Sequence, residues 1–283
     1  MSSEPAAPQD GRHPAEAASS PSRAAEPVRI SSRDNPVLKD LRRLARDGGS
    51  YRRLGRVWLE GDHLCRAALD RGMRPAAAVF ADSFWLRAPW QLAEASSKVY
   101  VVPDALLAEA SGLESPAPVG FLMDMPEQPS VQAALATVVL DRLQDPGNVG
   151  SILRSASAFG FSQILALKGT VALWSPKVMR AGMGAHFALR LVEGVDTAVV
   201  ADLGVPLLAT SSHQGLWLHQ APLPWPCAWM MGHEGQGLGA ELDAMATLRI
   251  RIAQPGGEES LNVAAAAAVC LHSSAALKLG AAT

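Results

Sequence analysis

The side chains best suited to chemistry lie in three short segments of the C-terminal half of the chain. In the first segment, residues 140–156, an apolar strand runs through a polar turn into a helix. The turn would place Asn148 at or next to the helix N-terminus, at the C-terminal edge of a sheet, where α/β proteins bind ligands. Arg154 follows about two helical turns later, so both side chains can face one cleft. By itself the segment equally suits a capping asparagine and a surface arginine.

In the second segment, residues 229–239, four glycines surround the carboxylate of Glu234. Glycines let the backbone approach a ligand closely and adopt positive φ. Residues 235–240 match the GxGxxA fingerprint of a dinucleotide-dependent oxidoreductase, but only 44 residues follow Gly239, which leaves no room for the βαβ unit. His233 beside Glu234 suggests zinc. There is no HExxH and no second histidine at helical spacing, so no metal site is predicted.

In the third segment, residues 250–264, a strand runs into a Pro-Gly-Gly loop and then into an alanine-rich helix. Ser260 and Asn262 can cap that helix with their side chains. Capping and close packing of the alanines would account for this segment alone. The three segments together, in this order and spacing, have no such simple explanation.

In this order the segments resemble the SpoU (TrmH) family of RNA ribose 2′-O-methyltransferases. The resemblance spans roughly residues 118–279 and, more weakly, residues 28–115, which look like the family's N-terminal substrate-binding domain of ribosomal-protein type. The residues that carry it are Asp145-Pro146-x-Asn148-x-Gly150 with Arg154, Gly232-x-Glu234-Gly235-x-Gly237, and Ser260-Leu261-Asn262-Val263. The departures from the family pattern are His233, Ala264 and the pair Gln254-Pro255.

The resemblance implies an α/β methyltransferase domain with a parallel sheet, whose C-terminal chain passes through a loop to form a trefoil knot, a rare exception to unknotted topology. It also implies S-adenosylmethionine as the methyl donor and a homodimer, with Asn148 and Arg154 near the active site at the dimer interface. The implied cofactor-binding residues are Thr210, Gly232, Ile252, Gln254 and Leu261. The implied catalytic residues are Asn148, Arg154, Glu234, Ser260 and Asn262.

In the implied reaction the ribose 2′-oxygen attacks the donor's methyl group in line, so the protein must align the two atoms and help to remove the hydroxyl proton. The family assigns proton acceptance to Arg154, but a guanidinium ion holds its proton in proteins. We therefore expect Arg154 to orient the 2′-hydroxyl and an adjacent phosphate and to stabilise the developing alkoxide. Asn148 would fix the ribose or Arg154, and Glu234 would orient either side chain. Ser260 and Asn262 would shape the cleft.

The chain has 283 residues, 48% of them hydrophobic, and is long enough for two compact domains. Residues 1–27 are rich in Ala, Pro, Ser and Glu and are predicted to form a disordered tail. Residues 28–115 predict a small α/β domain that binds the RNA substrate, and residues 116–283 the methyltransferase domain. Strands are predicted at residues 56–60, 76–81, 98–102, 137–143, 163–167, 206–210, 228–231 and 248–252. Helices are predicted at residues 31–44, 61–71, 89–95, 151–159, 176–182, 238–246 and 263–279.

Basic residues cluster around the first predicted helix, although the net charge of the chain is -2. A solvated helix face is the usual explanation, but counterion release makes such a cluster an effective phosphate binder, which favours contact with RNA. The predicted RNA contacts are Arg33, Lys39, Arg42, Arg43 and Arg53. The size of the N-terminal domain favours ribosomal over transfer RNA as the substrate. A catalytically silent RNA-binding protein of the same fold is the alternative, and the intact set of candidate catalytic residues argues against it.

The cysteines and the N-terminus favour a cytoplasmic protein. The three cysteines are far apart and odd in number, which argues against a disulfide framework or a zinc ribbon. Residues 1–27 lack the apolar segment of a signal peptide. The longest apolar run, residues 263–271, stops at His272 and is too short to span a membrane, so no membrane partner is predicted.

Overall fold

Two sheets of short, largely buried strands organise the chain. The computed structural model describes residues 26–87, 89–211, 214–257 and 260–280. The predicted tail, residues 1–27, lies almost entirely outside the described residues. Central strands of both sheets are buried along their whole length, as expected for strands that are covered on both faces.

The first sheet and its helices occupy residues 28–124. The strands are β1 (Val28–Arg29), β2 (Arg56–Glu60), β3 (Ala77–Ala81), β4 (Val99–Val102) and β5 (Val119–Asp124). The helices are α1 (Pro36–Arg46), α2 (Ser50–Leu54), α3 (Asp62–Asp70), α4 (Asp82–Trp85), α5 (Trp90–Ala93) and α6 (Asp104–Ala110). The strand order is β1-β4-β3-β5-β2, and β5 runs antiparallel to both of its neighbours.

The position of β5 corrects the predicted domain boundary between residues 115 and 116. β5 pairs with β2 from Arg56 opposite Asp124 to Glu60 opposite Gly120, and its other edge pairs with β3. It therefore belongs to the first sheet, and the chain enters the second sheet only at Thr137. A proline-rich loop that returns to its own sheet has the same composition as a linker between domains, so the sequence did not separate the two.

Helix α1 forms around the predicted proline start and three buried leucines. Asn35 caps it, since its side-chain oxygen accepts a hydrogen bond from the amide of Val37 at 2.9 Å. The predicted helix began at Ser31, but the residue before a proline avoids helical geometry, and α1 begins at Pro36. The buried leucines at helical spacing are Leu38, Leu41 and Leu44.

The second sheet has seven strands, and all of its neighbouring strands are parallel, as predicted. The strands are β6 (Thr137–Leu140), β7 (Gln163–Leu167), β8 (Arg190–Val195), β9 (Leu207–Thr210), β10 (Leu216–Trp217), β11 (Ala228–Met231) and β12 (Leu248–Arg251). The helices are α7 (Pro146–Ala158), α8 (Pro176–Gly182), α9 (Ala198–Ala201), α10 (Ala240–Met245) and α11 (Val263–Gly280). The strand order is β10-β12-β9-β11-β6-β7-β8, which puts β11 between β9 and β6.

Helix α7 begins five residues before the predicted start at Ser151. Asp145 caps the helix, because its side chain accepts a hydrogen bond from the amide of Asn148 at 2.7 Å, and Pro146 occupies the first helical position. Asn148 therefore lies in the first turn of α7, as predicted for a residue at or next to the helix N-terminus.

Gly150 lets α7 and α8 pack closely. A Cβ atom at this position would lie 2.4 Å from Cβ of Ala181 and 2.8 Å from the backbone nitrogen of Gly182. Both distances are too short for real atoms, so any side chain here pushes α7 away from α8. Because Asn148 stands one half-turn earlier on the same helix, this contact also sets where Asn148 points.

We expect Gly150→Ala to lower the free energy of unfolding by about 1–3 kcal/mol, the usual cost of overpacking. Urea denaturation followed by circular dichroism measures it. Gly256→Ala is the matched control, because nothing lies within 4 Å of a Cβ there. Equal stability of the two variants would show that α7 and α8 separate at no cost, contrary to this expectation.

Helix α11 continues past His272 to Gly280, beyond the apolar run on which the membrane argument rested. In the described part of the chain it is the one helix long and apolar enough to cross a membrane by length and composition, so the argument from run length is wrong. The helix contacts α7 and β11, and Trp229 in β11 donates a hydrogen bond from Nε1 to the hydroxyl of Ser274 at 2.9 Å. Helices that cover a sheet in this way also meet the length and composition test.

Glu193 in β8 connects the second sheet to helix α2 of the N-terminal part of the chain. Its carboxylate accepts hydrogen bonds from the Tyr51 hydroxyl and from the amide of Leu173, both at 2.6 Å, and pairs with Arg52 at 3.3 Å. Burial and then the bond to Glu193 raise the pKa of Tyr51, so its hydroxyl stays protonated and donates. These contacts hold α2 against the second sheet.

Candidate active site

The predicted cofactor residues gather at the carboxyl ends of three neighbouring strands. Thr210 ends β9, Gly232 follows β11, and Ile252 follows β12. Because these strands are adjacent and parallel, their ends meet at one edge of the sheet. Gln254 continues from β12, and Leu261 stands two residues before α11.

Three observations at this edge suit a bound cofactor. A Cβ atom on Gly232 would lie 2.3 Å from the carbonyl carbon of Gly237 and 2.3 Å from the nitrogen of Leu238, so only glycine fits this close backbone approach. The Oε1 atom of Gln254 is buried without a hydrogen-bond partner among the described residues. A buried acceptor without a donor destabilises the fold, and a donor on a bound cofactor would remove this penalty. Leu261 is 41% exposed and offers apolar surface to a ligand.

Residues 232–239, called here the glycine loop, form a tight turn with Glu234 near its tip. His233 and Gly237 exchange backbone hydrogen bonds of 3.0 and 2.8 Å. Gly237 has a φ of +68°, which a residue with a side chain rarely adopts. The Nδ1 atom of His233 accepts a hydrogen bond from the amide of Gly235 at 3.0 Å, so this departure from the family pattern stabilises the turn.

A chain of hydrogen bonds links the three segments that the sequence analysis singled out. The Nδ2 group of Asn262 donates to Oδ1 of Asn148 at 2.9 Å. The Nδ2 group of Asn148 in turn donates to Oε1 of Glu234 at 3.3 Å. We call Asn262, Asn148 and Glu234 the polar chain. It fixes the orientation of the Asn148 amide between a carboxylate on one side and an amide on the other.

The position of Glu234 keeps its carboxylate ionised. Partial burial acts to raise its pKa, but hydrogen bonds from its own amide, from Asn148 and from the amides of Asp145 and Gln144 outweigh it, and the pKa is lowered. At neutral pH the group therefore accepts hydrogen bonds and does not act as an acid. The stability it contributes is present above its pKa in the unfolded chain and is lost as the pH falls through the lowered pKa.

Arg154 does not join the polar chain. It lies six residues after Asn148, and six residues leave the two side chains about 120° apart around a helix. Two full turns need about seven residues, so the spacing is less favourable than expected, and the prediction that both side chains face one cleft stays a prediction. Arg154 is exposed and makes no hydrogen bond or ion pair with any residue that the structure describes.

Of the two predicted caps of α11, Asn262 is the one that caps the helix. Its Oδ1 atom accepts hydrogen bonds from the amides of Ala264 at 2.9 Å and Ala265 at 3.2 Å. Ser260 is exposed and has no hydrogen-bond partner among the described residues. Asn262 thus serves the helix with its oxygen and the polar chain with its nitrogen.

Sequence reasoning missed three residues at this site. The amide of Gln144 approaches Oε2 of Glu234 at 3.5 Å, and its side chain donates to the carbonyl of Gly169. Asp141 and Arg142 form an ion pair of 2.8 Å beside the glycine loop. The available signal was a charged pair directly after a buried apolar strand, where ligand-binding residues of a parallel sheet collect.

The predicted RNA contacts lie on or beside α1 and α2, and all five side chains have partners within the chain. Arg42 donates to the carbonyl of Arg33 at 2.7 Å and approaches Glu109 at 3.8 Å. The other ion pairs are Arg33–Glu109 (2.6 Å), Lys39–Asp34 (3.1 Å), Arg43–Asp40 (3.6 Å) and Arg53–Asp47 (2.7 Å). Four of these cations remain about half exposed or more, so phosphate could still reach them.

The cysteines are buried, and the described residues include no group of three or more His, Cys, Asp or Glu side chains that could hold a metal ion. Burial raises the pKa of Cys227 to about 11 and that of Cys270 to about 12. Both thiols are therefore protonated at neutral pH and are unreactive.

Known proteins are similar to this chain in sequence and in fold. The profile of the SpoU rRNA Methylase family matches residues 136–272. A Synechocystis protein, the uncharacterized tRNA/rRNA methyltransferase slr1673, is 33% identical over 86% of this chain and 92% of its own. The 23S rRNA (guanosine(2553)-2'-O)-methyltransferase RlmP of Bacillus subtilis is 28% identical over 86% and 97%.

The structure of an AdoMet-bound rRNA methyltransferase from Sinorhizobium meliloti superposes with a TM-score of 0.75 at 27% identity, covering 87% of this chain and 97% of that one. The α/β fold is therefore similar to that of a protein whose structure contains this cofactor. With the Synechocystis relative matched over most of both chains, the protein belongs to the SpoU rRNA methylase family and is an S-adenosylmethionine-dependent RNA methyltransferase.

Proposed function

We propose that this protein methylates a ribose 2′-hydroxyl, in ribosomal RNA rather than in transfer RNA. The observation that carries the proposal is the polar chain, which brings one side chain from each of the three family segments into hydrogen-bonding contact. The name of the Bacillus subtilis relative, which specifies 2′-O transfer to 23S rRNA, supports the same position of methylation.

The residues at the carboxyl ends of β9, β11 and β12 would hold S-adenosylmethionine. Gly232, Ile252 and Leu261 would contribute backbone groups, and the unpaired oxygen of Gln254 would accept a hydrogen bond beside Thr210. The cofactor supplies an electrophilic methyl group on a positively charged sulfur. The chain's task is to present a ribose oxygen to that methyl group in line, and alignment of this kind can lower a barrier by up to roughly 7–11 kcal/mol.

The polar chain would hold the ribose. Asn148 is fixed through both ends of its amide, so it can contact the sugar without losing entropy at the moment of reaction. Arg154 would orient the 2′-hydroxyl and a neighbouring phosphate and stabilise the alkoxide, since a guanidinium ion does not accept a proton. Glu234 and Ser260 are exposed, so the hydroxyl proton would leave to water.

We infer that the protein acts as a homodimer in which Arg154 serves the partner's site. Arg154 is exposed on α7 and has no partner among the described residues. Helix α11 packs beside α7 and leaves apolar side chains uncovered, with Val269 42%, Leu277 51% and Leu279 70% exposed. A second copy that covers this apolar surface would bring its α7 close to the polar chain.

We further infer the trefoil knot and a substrate-binding role for the N-terminal domain. In the sheet β9 separates β12 from β11, yet α11, the helix that follows β12 in the chain, packs on β11 and α7. This return of the C-terminal helix over earlier elements of its own sheet supports the inferred knot. Helices α1 and α2 carry the exposed cations expected of an RNA-binding surface.

Mapping 2′-O-methylation across total RNA in a deletion strain tests the proposed function. We expect the loss of one ribosomal site, restored by the wild-type protein but not by Asn148→Ala. Retention of every site, together with no binding of S-adenosylmethionine in calorimetry, would support the catalytically silent protein instead. A lost site in transfer RNA would correct the substrate and leave the reaction standing.

Replacing Lys39 and Arg43 together with alanine should weaken RNA binding uniformly across sequences. Each phosphate contact contributes about 0.7 to the slope of log K against log salt for single strands, so we expect the slope to fall by about 1.4. Filter binding at several salt concentrations measures it. Arg66→Ala removes another ion-paired arginine of the same domain and serves as the control. If the two variants have the same slope of log K against log salt, the RNA-binding surface does not include α1.

A further inference from the structure

Asp141 and Arg142 directly follow β6, and their side chains form hydrogen bonds with the glycine loop. The Asp141 carboxylate accepts hydrogen bonds from Nε and Nη2 of Arg142 at 2.8 and 3.0 Å. It also accepts one from the amide of Gly239 at 2.8 Å. Arg142 reaches the same loop, with Nη1 3.2 Å from Oε1 of Gln236 and Nη2 3.5 Å from the carbonyl of Gly237. Together the two side chains contact three residues of the loop.

The backbone of Arg142 adopts an unusual conformation that lets its side chain reach both Asp141 and the glycine loop. Its φ is +58°, in the left-handed region that favours glycine. The turn is held by the amide of Arg142, which donates to the Thr170 hydroxyl at 3.0 Å, and by that hydroxyl, which donates to the carbonyl of Leu140 at 2.9 Å. A strained residue persists where its surroundings enforce it, and such residues gather at functional sites. Here the strain turns the guanidinium group back toward Asp141 and the loop.

The pair differs from an ordinary surface ion pair in its burial. The side chain of Asp141 is 6% exposed, and its carboxylate accepts three hydrogen bonds. A buried carboxylate with all its partners in place resists displacement by water, whereas exposed pairs contribute little. The hydrogen bond and charge of Asp141 raise the pKa of Arg142 further, so the guanidinium group stays charged.

We propose that Asp141 and Arg142 are positioning residues for methyl transfer: they clamp the glycine loop in the shape that lets the Gly232 backbone receive the cofactor. The clamp touches Gln236, Gly237 and Gly239, and Gly237 packs directly on Gly232, so its hold passes to Gly232 through the loop backbone. Because it assigns cofactor binding to this loop, the inference rests on the proposed function.

A second arginine–aspartate pair in the same sheet provides a matched control. Arg249 donates to Asp243 from Nε at 3.2 Å and from Nη2 at 2.9 Å, and its side chain is 35% exposed against 36% for Arg142. This pair joins α10 to β12, and neither of its side chains bonds to a described residue of the glycine loop; only the backbone amide of Asp243 does, donating to the carbonyl of Gly239 at 2.9 Å, and Arg249→Lys leaves that bond in place. Weakening this ion pair by replacing Arg249 should remove a similar electrostatic interaction without loosening the glycine loop.

The test uses Arg142→Lys, which keeps the charge but loses the planar fork, and Asp141→Asn, which keeps the shape but loses the charge. Hydrogen exchange of the peptide covering residues 232–239 should become about tenfold faster in both variants, as expected for the loss of a charge-assisted hydrogen bond. The dissociation constant and KM for S-adenosylmethionine should rise about tenfold, while kcat for bound cofactor changes by less than about threefold. Arg249→Lys should match the wild type in all four quantities.

Wild-type exchange and wild-type cofactor affinity in both clamp variants would overturn the inference. Equal effects of Arg142→Lys and Arg249→Lys would overturn it as well, because they would indicate a general loss of stability. Hydrogen exchange needs no cofactor. If the wild-type protein itself fails to bind S-adenosylmethionine, the proposed function fails, and the exchange rates alone still decide whether the clamp holds the loop.

Discussion

Gly232→Ala is expected to weaken binding of S-adenosylmethionine severely. The new methyl group would lie 2.3 Å from the carbonyl carbon of Gly237 and 2.3 Å from the nitrogen of Leu238. Both atoms belong to backbone that is itself fixed by the exchange of hydrogen bonds between His233 and Gly237. The loop must therefore open, and we expect the dissociation constant to rise by about a hundredfold or more, as for loss of two or more backbone contacts to a ligand.

Isothermal calorimetry measures this effect, and Gly235→Ala is the control. Gly235 lies in the same loop, but a Cβ there would approach nothing closer than the ring of His233 at 3.9 Å. Its loss of affinity should be far smaller. If both variants bind alike, the glycine loop does not form the cofactor site. Thermal denaturation of both variants then separates a loop that has opened from a domain that has unfolded.

The parallel sheet was within reach of sequence reasoning because its central strands are buried on both faces. Continuous apolar runs at Gln163–Leu167 and Ala228–Met231 were predicted with the bounds that the structure has. The strand β10, residues Leu216–Trp217, was not predicted. It has two residues, both exposed at the sheet edge, and pattern alone does not distinguish such a strand from a loop.

The boundary between the sheets was missed for a different reason. Val119–Asp124 is a strand of the first sheet that follows a proline-rich loop, and the residues of β2 and β3 that pair with it lie 39–68 positions earlier in the chain. Which earlier strands a later one joins depends on long-range packing of both faces. Composition around a single loop carries no information about that choice.

The candidate site was predictable as a set of residues but not as a network. The family segments identified Asn148, Glu234 and Asn262, and all three meet in the polar chain. The order in which they bond depends on the paths of two loops and on the first turn of α7. The clamp of Asp141 and Arg142 was hidden for the same reason, since a positive φ at an arginine cannot be inferred from its neighbours in sequence.

The place of Arg154 leads to the second large effect. Arg154→Ala is expected to lower kcat by about 10²–10³-fold, the usual loss when one donor to a developing oxyanion is removed. Binding of S-adenosylmethionine should be unchanged, because Arg154 stands about 120° around α7 from Asn148 and makes no hydrogen bond or ion pair with any described residue. Arg154→Lys should recover little, since lysine cannot reproduce the planar fork.

Mixed dimers reveal which site Arg154 serves. In a dimer of one Arg154→Ala chain and one Gly232→Ala chain, the first chain keeps an intact glycine loop and the second keeps its arginine. If Arg154 acts across the interface, these two halves form one working site. Random assembly from equal amounts of the two chains makes half of all dimers mixed, and each mixed dimer has one working site out of two. About a quarter of wild-type activity should therefore return.

The mixture is prepared by co-expression of the two chains with different affinity tags and is compared with each variant alone. If Arg154 acts within its own chain, every site in the mixed dimer carries one defect and activity stays at the level of the single variants. Recovery of both chains on either tag establishes that mixed dimers have formed, and a protein that is monomeric in ultracentrifugation and fully active would remove the dimer from the mechanism altogether. Recovery to about a quarter would instead explain why the cation on α7 has no partner within its own chain: its target lies on the second copy.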